Sequence, residues 1–294
     1  MVHHIAKRQK VDEMETGEEE VLFNSDTLFK IISYLPSLDI LNLALTSKRF
    51  GISDNYELSV IKKTAHIIVH EIATEEQLAA LPHYDGDSTL ADYHYLQLLR
   101  APLTFDQLVG GAKYVNSEDK SCVFSTDVEE WKTAFSNNIL RAGKHYAMFE
   151  VNSSQLGNTI GILVGLMRPG QANQNNPLGS QFYGNFSPRW GKIGTWGNNK
   201  VHCCMYNGYS GWCRSSSWTQ TIGSETSTWE GKESISSGDD LGMLLDLDEG
   251  TLSVYKNGRK LGVMKSGLAG PYCWVASTYR GSRVKIKRGT IPPS

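Results

Sequence analysis

The chain has 294 residues, 40% hydrophobic and 20% charged, with a formal net charge of -2, which suits two ordinary soluble domains and argues against a chain dominated by disorder or by membrane spans. A pI near 6.5 supplies no global basic field to neutralise phosphates, so neither DNA nor RNA is expected as the main partner. The five cysteines, Cys122, Cys203, Cys204, Cys213 and Cys273, are odd in number and irregularly spaced, which points away from a disulfide framework and toward a reducing compartment, cytoplasmic or nuclear.

Residues 1–20 place Lys7, Arg8 and Lys10 ahead of Glu18, Glu19 and Glu20 with almost nothing apolar between them, so a disordered tail is expected. The Lys7-Arg8-Gln9-Lys10 run could serve as a short nuclear address. No apolar signal core follows Met1, and the longest aliphatic stretch, Ile160 to Met167, is far shorter than the roughly 20 residues that cross a bilayer. No membrane partner is expected.

Helical periodicity begins at residue 21 and covers residues 21–51. Leu28, Ile31, Ile32 and Leu35 recur at i, i+3, i+4 and i+7, with Ser25 or Asp26 able to cap the helix. Pro36-Ser37 breaks it, Ser37 or Asp39 can cap the next, and Ile40, Leu41, Leu43, Ala44 and Leu45 make a second segment apolar on most of its circumference. So small a helix pair must bury its apolar surface against the rest of the chain or a partner.

The run Leu28-Phe-Lys-Ile-Ile-Ser-Tyr-Leu-Pro36, then Leu38-Asp-Ile-Leu41-Asn-Leu-Ala-Leu45 and Ser47-Lys-Arg-Phe50, resembles an F-box. That resemblance implies docking on the Skp-type adaptor of a cullin ubiquitin-ligase complex, through Leu28, Ile31, Ile32, Leu35, Pro36, Leu38, Ile40, Leu41 and Leu45. The chain departs from the family at its start, where Leu22-Phe23-Asn24-Ser25-Asp26 carries no proline.

Residues 52–105 read as a helical spacer. Leu58, Ile61, Ala65, Ile68 and Ile72 fall on one helix face. Thr74 and Gln77 have capping-box spacing for a helix reaching Leu81, and after Pro82 a further helix carries Leu90, Tyr93, Leu96 and Leu99 as far as Ala101-Pro102.

Over residues 106–290 the texture changes to short β-like runs, at 144–151, 159–166, 241–247, 251–255 and 272–278. Asp248-Glu249-Gly250 and Asn257-Gly258 stand where hairpins would turn. The expected fold is therefore multidomain, an α-helical N-terminal region followed by an all-β antiparallel sandwich. This half resembles the SPRY family in the order of its motifs: Arg141-Ala-Gly-Lys-His-Tyr146, Phe149-Glu-Val151, Ile160-Gly161, Gly211-Trp212, Gly238-Asp-Asp-Leu-Gly242, Leu245-Asp-Leu-Asp248, Tyr255-Lys-Asn-Gly258 and Leu261-Gly262. Arg168 to Lys200 is an enlarged polar segment that the family pattern does not anticipate.

Catalytic and metal constellations fail on context. Gly86-Asp87-Ser88 reads as a turn, and Gly208-Tyr209-Ser210-Gly211 has Trp212 where a nucleophile elbow needs glycine. His202, Cys203, Cys204 and Cys213 lack metal-ligand spacing, His66 and His70 lack the glutamate of a zinc protease, and Asp246, Asp248 and Gly250 are half a calcium loop read as a turn. The basic alternation Val284-Lys285-Ile286-Lys287-Arg288 reads as a guarded outer strand face. No catalytic residue, metal or cofactor is expected.

Loops rich in Tyr, Trp and Arg have the composition of binding hot spots. Arg168, Phe182, Tyr183, Phe186, Arg189 and Trp190, with Tyr206, Tyr209 and Trp218, are the candidates for a protein or peptide substrate, whereas Trp212 reads as sandwich core. Jointly the two resemblances imply a substrate-recognition subunit of a Skp–cullin–F-box ligase. The alternative is an interaction scaffold unrelated to ubiquitin, in which Leu28, Ile31, Ile32 and Leu35 pack on the following helices.

Overall fold

A computed structural model describes residues 25–35, 39–40, 43, 60–79, 81, 89–126, 131–136, 138–153, 160–169, 203–216 and 225–292. The chain divides into two units between Ala101 and Pro102.

In the first unit, α1 spans Ser25–Tyr34 and α2 spans Val60–Ile67, continuing as a π-turn over Ile68–Ile72; α3 covers Glu75–Ala79 and α4 covers Thr89–Arg100. Ile32 from α1, Ile40, Ile61 and Ala65 from α2 and Leu96 from α4 are almost fully buried in one cluster. Gln97 Nε2 donates to the Leu35 carbonyl beyond α1 at 3.1 Å, satisfying a group the helix leaves unpaired. The capping box forms: Gln77 N donates to Thr74 Oγ1 and Thr74 N to Gln77 Oε1, each at 3.2 Å.

The predicted stripe on α2 holds through Ile61, Ala65 and Ile68 but not at Ile72, which is 53% exposed while Val69 is buried. Opening from α to π geometry puts more residues into the turn, so the four-residue step no longer returns to the same face.

The second unit is a sandwich of two antiparallel sheets. In chain order its strands begin β1 Gln107–Val109, β2 Lys113–Asn116, β3 Asp119–Phe124, β4 Lys132–Phe135, β5 Lys144–Ser153, β6 Ile162–Met167 and β7 Cys203–Asn207. They continue β8 Cys213–Ser216, β9 Glu225–Ser227, β10 Asp240–Asp246, β11 Thr251–Lys256, β12 Arg259–Ser266, β13 Cys273–Thr278 and β14 Ser282–Arg288. Among the described residues one sheet runs β1-β4-β13-β6-β7-β8-β9 and the other β12-β11-β10-β5-β14-β3-β2.

Period-two alternation builds the core. Ala147, Phe149 and Val151 of β5, with Leu241, Met243 and Leu245 of β10, face Ile162, Val164 and Leu166 of β6 and Trp274 of β13 in one buried cluster. Each of the larger aliphatic and Phe side chains among them stabilises the fold by about 1.5–3 kcal/mol. The rings of Phe149 and Trp274 meet edge to face at 5.9 Å.

Turn chemistry fixes the hairpins. Asn257 and Gly258 take φ of 51° and 80° between β11 and β12, two successive left-handed residues that match the strand twist. Asp246 Oδ1 accepts the Asp248 and Glu249 amides at 3.1 and 3.0 Å before Gly250, so this acidic run is a turn. Lys285 reaches Asp119 at 3.2 Å and Lys287 pairs with Glu150 on the outer sheet face, while Val284 and Ile286 fill the core and Arg288, on their side of β14, is partly buried rather than outward as expected.

Candidate functional site

The register places two groups of loops at opposite ends of the sandwich. At one end, Gly208 N donates to Ile162 O, Tyr279 N to Gly161 O, Ile235 N to Gly208 O and Asn257 N to Asp240 O. These bonds gather the β7–β8 turn, the β13–β14 turn, segment 228–239 and the β11–β12 hairpin. At the other end β6 and β7 finish at the pair Met167↔Cys203, where Arg168 leaves the sheet.

The β7–β8 turn is braced by segment 228–239. Gly211 adopts φ of 69°, and a Cβ there would lie 2.3 Å from Glu233 O, so only glycine admits the close approach. Trp229 Nε1 donates to Gly211 O at 2.7 Å, Tyr206 OH donates to Glu233 O, and Asn207 Oδ1 accepts the Tyr209 amide at 3.0 Å. From this support Tyr209 projects 63% exposed and Trp212 40% exposed. Lys232 Nζ lies 5.8 Å from the centre of the Trp212 ring, within cation–π range.

The surrounding charges are paired. Arg259 grips both Glu233 oxygens at 2.8 and 2.9 Å, and Lys256 lies 3.3 Å from Asp239. Partial burial raises the Asp239 pKa, but the Ser236 amide, the Asn257 side chain and Lys256 together hold it below the usual carboxylate value. Trp131 stacks on Tyr279 at 5.1 Å, and the Arg280 guanidinium lies 5.0 Å from the Tyr279 ring centre. This end can offer flat apolar rings edged with hydrogen-bonding groups.

Several expected surface residues are not at the surface. Tyr206 is fully buried; alternation along β7 turns it and Cys204 into the core, and burial pushes its phenol pKa up. Arg168 is 8% exposed, and its guanidinium donates to Ala269 O at 2.6 Å and lies 5.3 Å from the Tyr272 ring centre. It braces a loop. Trp212, expected in the core, faces outward because Gly211, Cys213 and Ser215 take the inward positions, while Trp229 meets Tyr206 edge to face at 6.4 Å. Phe182, Tyr183, Arg189, Trp190 and Trp218 lie outside the described residues.

For the adaptor-facing candidates, Ile31 is 43% exposed, whereas Ile32 and Ile40 are each 1% exposed, turned into the helical core where they cannot touch a partner directly. Leu35 is half-buried. Tyr34, not singled out from the sequence, is 87% exposed beside them. The side chains of Leu28, Pro36, Leu38, Leu41 and Leu45 lie outside the described residues.

Metal chemistry finds no closed site: among the described residues no three potential ligands cluster. Cys203 and Cys204 belong to different clusters on the two faces of their sheet, so adjacency in sequence separates them in space. Burial pushes the Cys273 thiol up to about 12, an inert rather than nucleophilic state. No helix among the described residues is long and apolar enough to cross a membrane.

Comparison with known proteins gives two family matches, a SPRY domain over residues 144–290, half of the chain, and an F-box domain over residues 22–52. No curated protein is significantly similar to the chain. Among solved structures, the SPRY domain of human HERC1 is 17% identical with a TM-score of 0.42, the match covering 63% of this chain and 97% of that one. The TRIM65 PSpry domain is 14% identical with a TM-score of 0.41, over 65% of this chain and 95% of that one.

Proposed function

This chain belongs to the SPRY-domain family and carries an F-box ahead of that domain, and on that premise we propose that it is the substrate-recognition subunit of a Skp–cullin–F-box ubiquitin ligase. Its F-box binds the Skp-type adaptor, residues 52–101 act as the spacer, and the sandwich holds a protein or peptide. That spacer is shorter than the expected 52–105 because Leu103 and Phe105 are in the sandwich core. The observation that carries this reading is the joining in one chain of two interaction modules, the second presenting Tyr209 and Trp212 on a braced turn. The protein then contributes proximity, and the transfer chemistry belongs to other subunits of the ligase.

A second reading, a scaffold unrelated to ubiquitin, is favoured by the internal packing of Ile32 and Ile40 against Ile61 and Ala65. Exposed Ile31 and Tyr34 discriminate the two, since neither contributes to that cluster. The test is binding of purified Skp-type adaptor to the full chain and to an Ile31→Asp, Tyr34→Asp variant. Loss of at least about tenfold in affinity with an unchanged circular dichroism spectrum supports the ligase reading, because hot-spot truncations cost about 2 kcal/mol or more. A native chain that ignores the adaptor leaves the scaffold.

A further inference from the structure

Two histidine rings meet on the exposed side of the segment where α2 passes into its π-turn. His66 sits in the last α-helical turn and His70 in the π-turn. Both are exposed, and their ring centres stand 4.3 Å apart with planes tilted by 45°. In an uninterrupted α-helix a residue four positions on is rotated past its predecessor by about a tenth of a turn. Four positions along a helix still put both rings on one face, where they can meet.

We infer that His66 and His70 form a two-imidazole site for a divalent transition-metal cation of the zinc class. Zinc takes imidazole nitrogen at about 2.0–2.1 Å and is usually tetrahedral in proteins, so two rings on one ion have centres roughly 5 Å apart. The observed separation needs only a small rotation of two exposed side chains to reach that arrangement, and the backbone need not move. Two histidines four apart on one helix face already meet half of a four-coordinate ion's demand, leaving the other positions for water or for a donor from outside the chain. No third ligand stands beside them among the described residues, so the site is open and exchangeable. Bound metal would clamp the α–π junction, whose inner face supplies Ile61, Ala65, Ile68 and Val69 to the helical core.

The experiment titrates the full chain with zinc chloride at neutral pH, following the histidine side-chain nitrogen resonances and the calorimetric affinity, beside His66→Gln, His70→Gln and the double variant. The expected result is that the His66 and His70 resonances shift together and that each single variant binds at least roughly tenfold more weakly, the loss of one arm of a chelate. Zinc should also raise the thermal midpoint of the native chain and not of the double variant. Because both rings are exposed, the variants should keep the native circular dichroism spectrum. Equal zinc affinity in the native chain and the double variant would place binding on other histidines or cysteines and overturn the proposal. So would zinc binding that leaves the His66 and His70 resonances unmoved.

Discussion

The two ends of the sandwich, separated by the five residues of β7, differ in which side chains they show to solvent. At the end of the β7–β8 turn, aromatic rings reach solvent and the charged groups around them are paired at the surface. At the other end titratable side chains are buried: His145 is 4% exposed, Arg168 8% and Asp246 7%, and burial lowers the pKa of Arg288 to about 10. Exposed side chains at the first end can therefore be altered with little effect on folding, unlike the glycine that braces their turn, while the other end responds to pH.

The largest effect should come from Gly211→Ala. The methyl would meet Glu233 O at 2.3 Å in a residue with φ of 69°, and strain plus overpacking should cost about 3 kcal/mol or more in chemical denaturation. Loss of partner capture should accompany it. A variant as stable as the native chain would show that the turn can reform without its close contact.

Acid is next. Burial lowers the His145 pKa from 6.5 to about 4, against a hydrogen bond to Ala142 that raises it. Its Nδ1 has no partner among the described residues. The unfolded chain takes up a proton below about pH 6.5 and the folded chain only near pH 4, so stability is present above that window and falls as pH drops through it. The loss should approach about 3 kcal/mol. Denaturant midpoints between pH 7 and pH 4 check it, and His145→Gln should flatten that slope.

Gly258→Ala sharpens the comparison with Gly211. Its φ is 80°, but no atom lies within 4 Å of the added methyl, so backbone strain alone should cost about 1 kcal/mol. The smallest change in stability belongs to Tyr209→Ala with Trp212→Ala, within roughly 0.5 kcal/mol as for surface positions. Partner capture should nonetheless fail in that variant while adaptor binding persists. Strong destabilisation instead would mean that the two rings hold the turn together.

Local sequence patterns carried much of this architecture. The Thr74–Gln77 box, the Asn257-Gly258 turn and the alternation of β5 and β10 appear as expected, because each depends on neighbours within a few residues. The same logic failed for Trp212 and Tyr206, which exchanged their expected places. Strand periodicity tells which residues share a face, yet which face is covered depends on Ile235, Trp229 and Glu233, some twenty residues further along the chain. Arg168 had the composition of a binding residue and proved to be a brace, since its acceptor Ala269 lies 101 positions away. The pairing of Trp131 with Tyr279 was invisible for the same reason.

By itself, then, the sequence determined the division into helices followed by an antiparallel sandwich, the turn positions and the two family resemblances, all of which rest on short-range periodicity, backbone preference and motif order. Tertiary structure alone decided which aromatic residues meet solvent, where charge is buried and that Ile72 leaves the core-facing stripe at the α–π junction. Those outcomes depend on long-range packing and on one change of helical pitch, and neither leaves a mark in a local pattern.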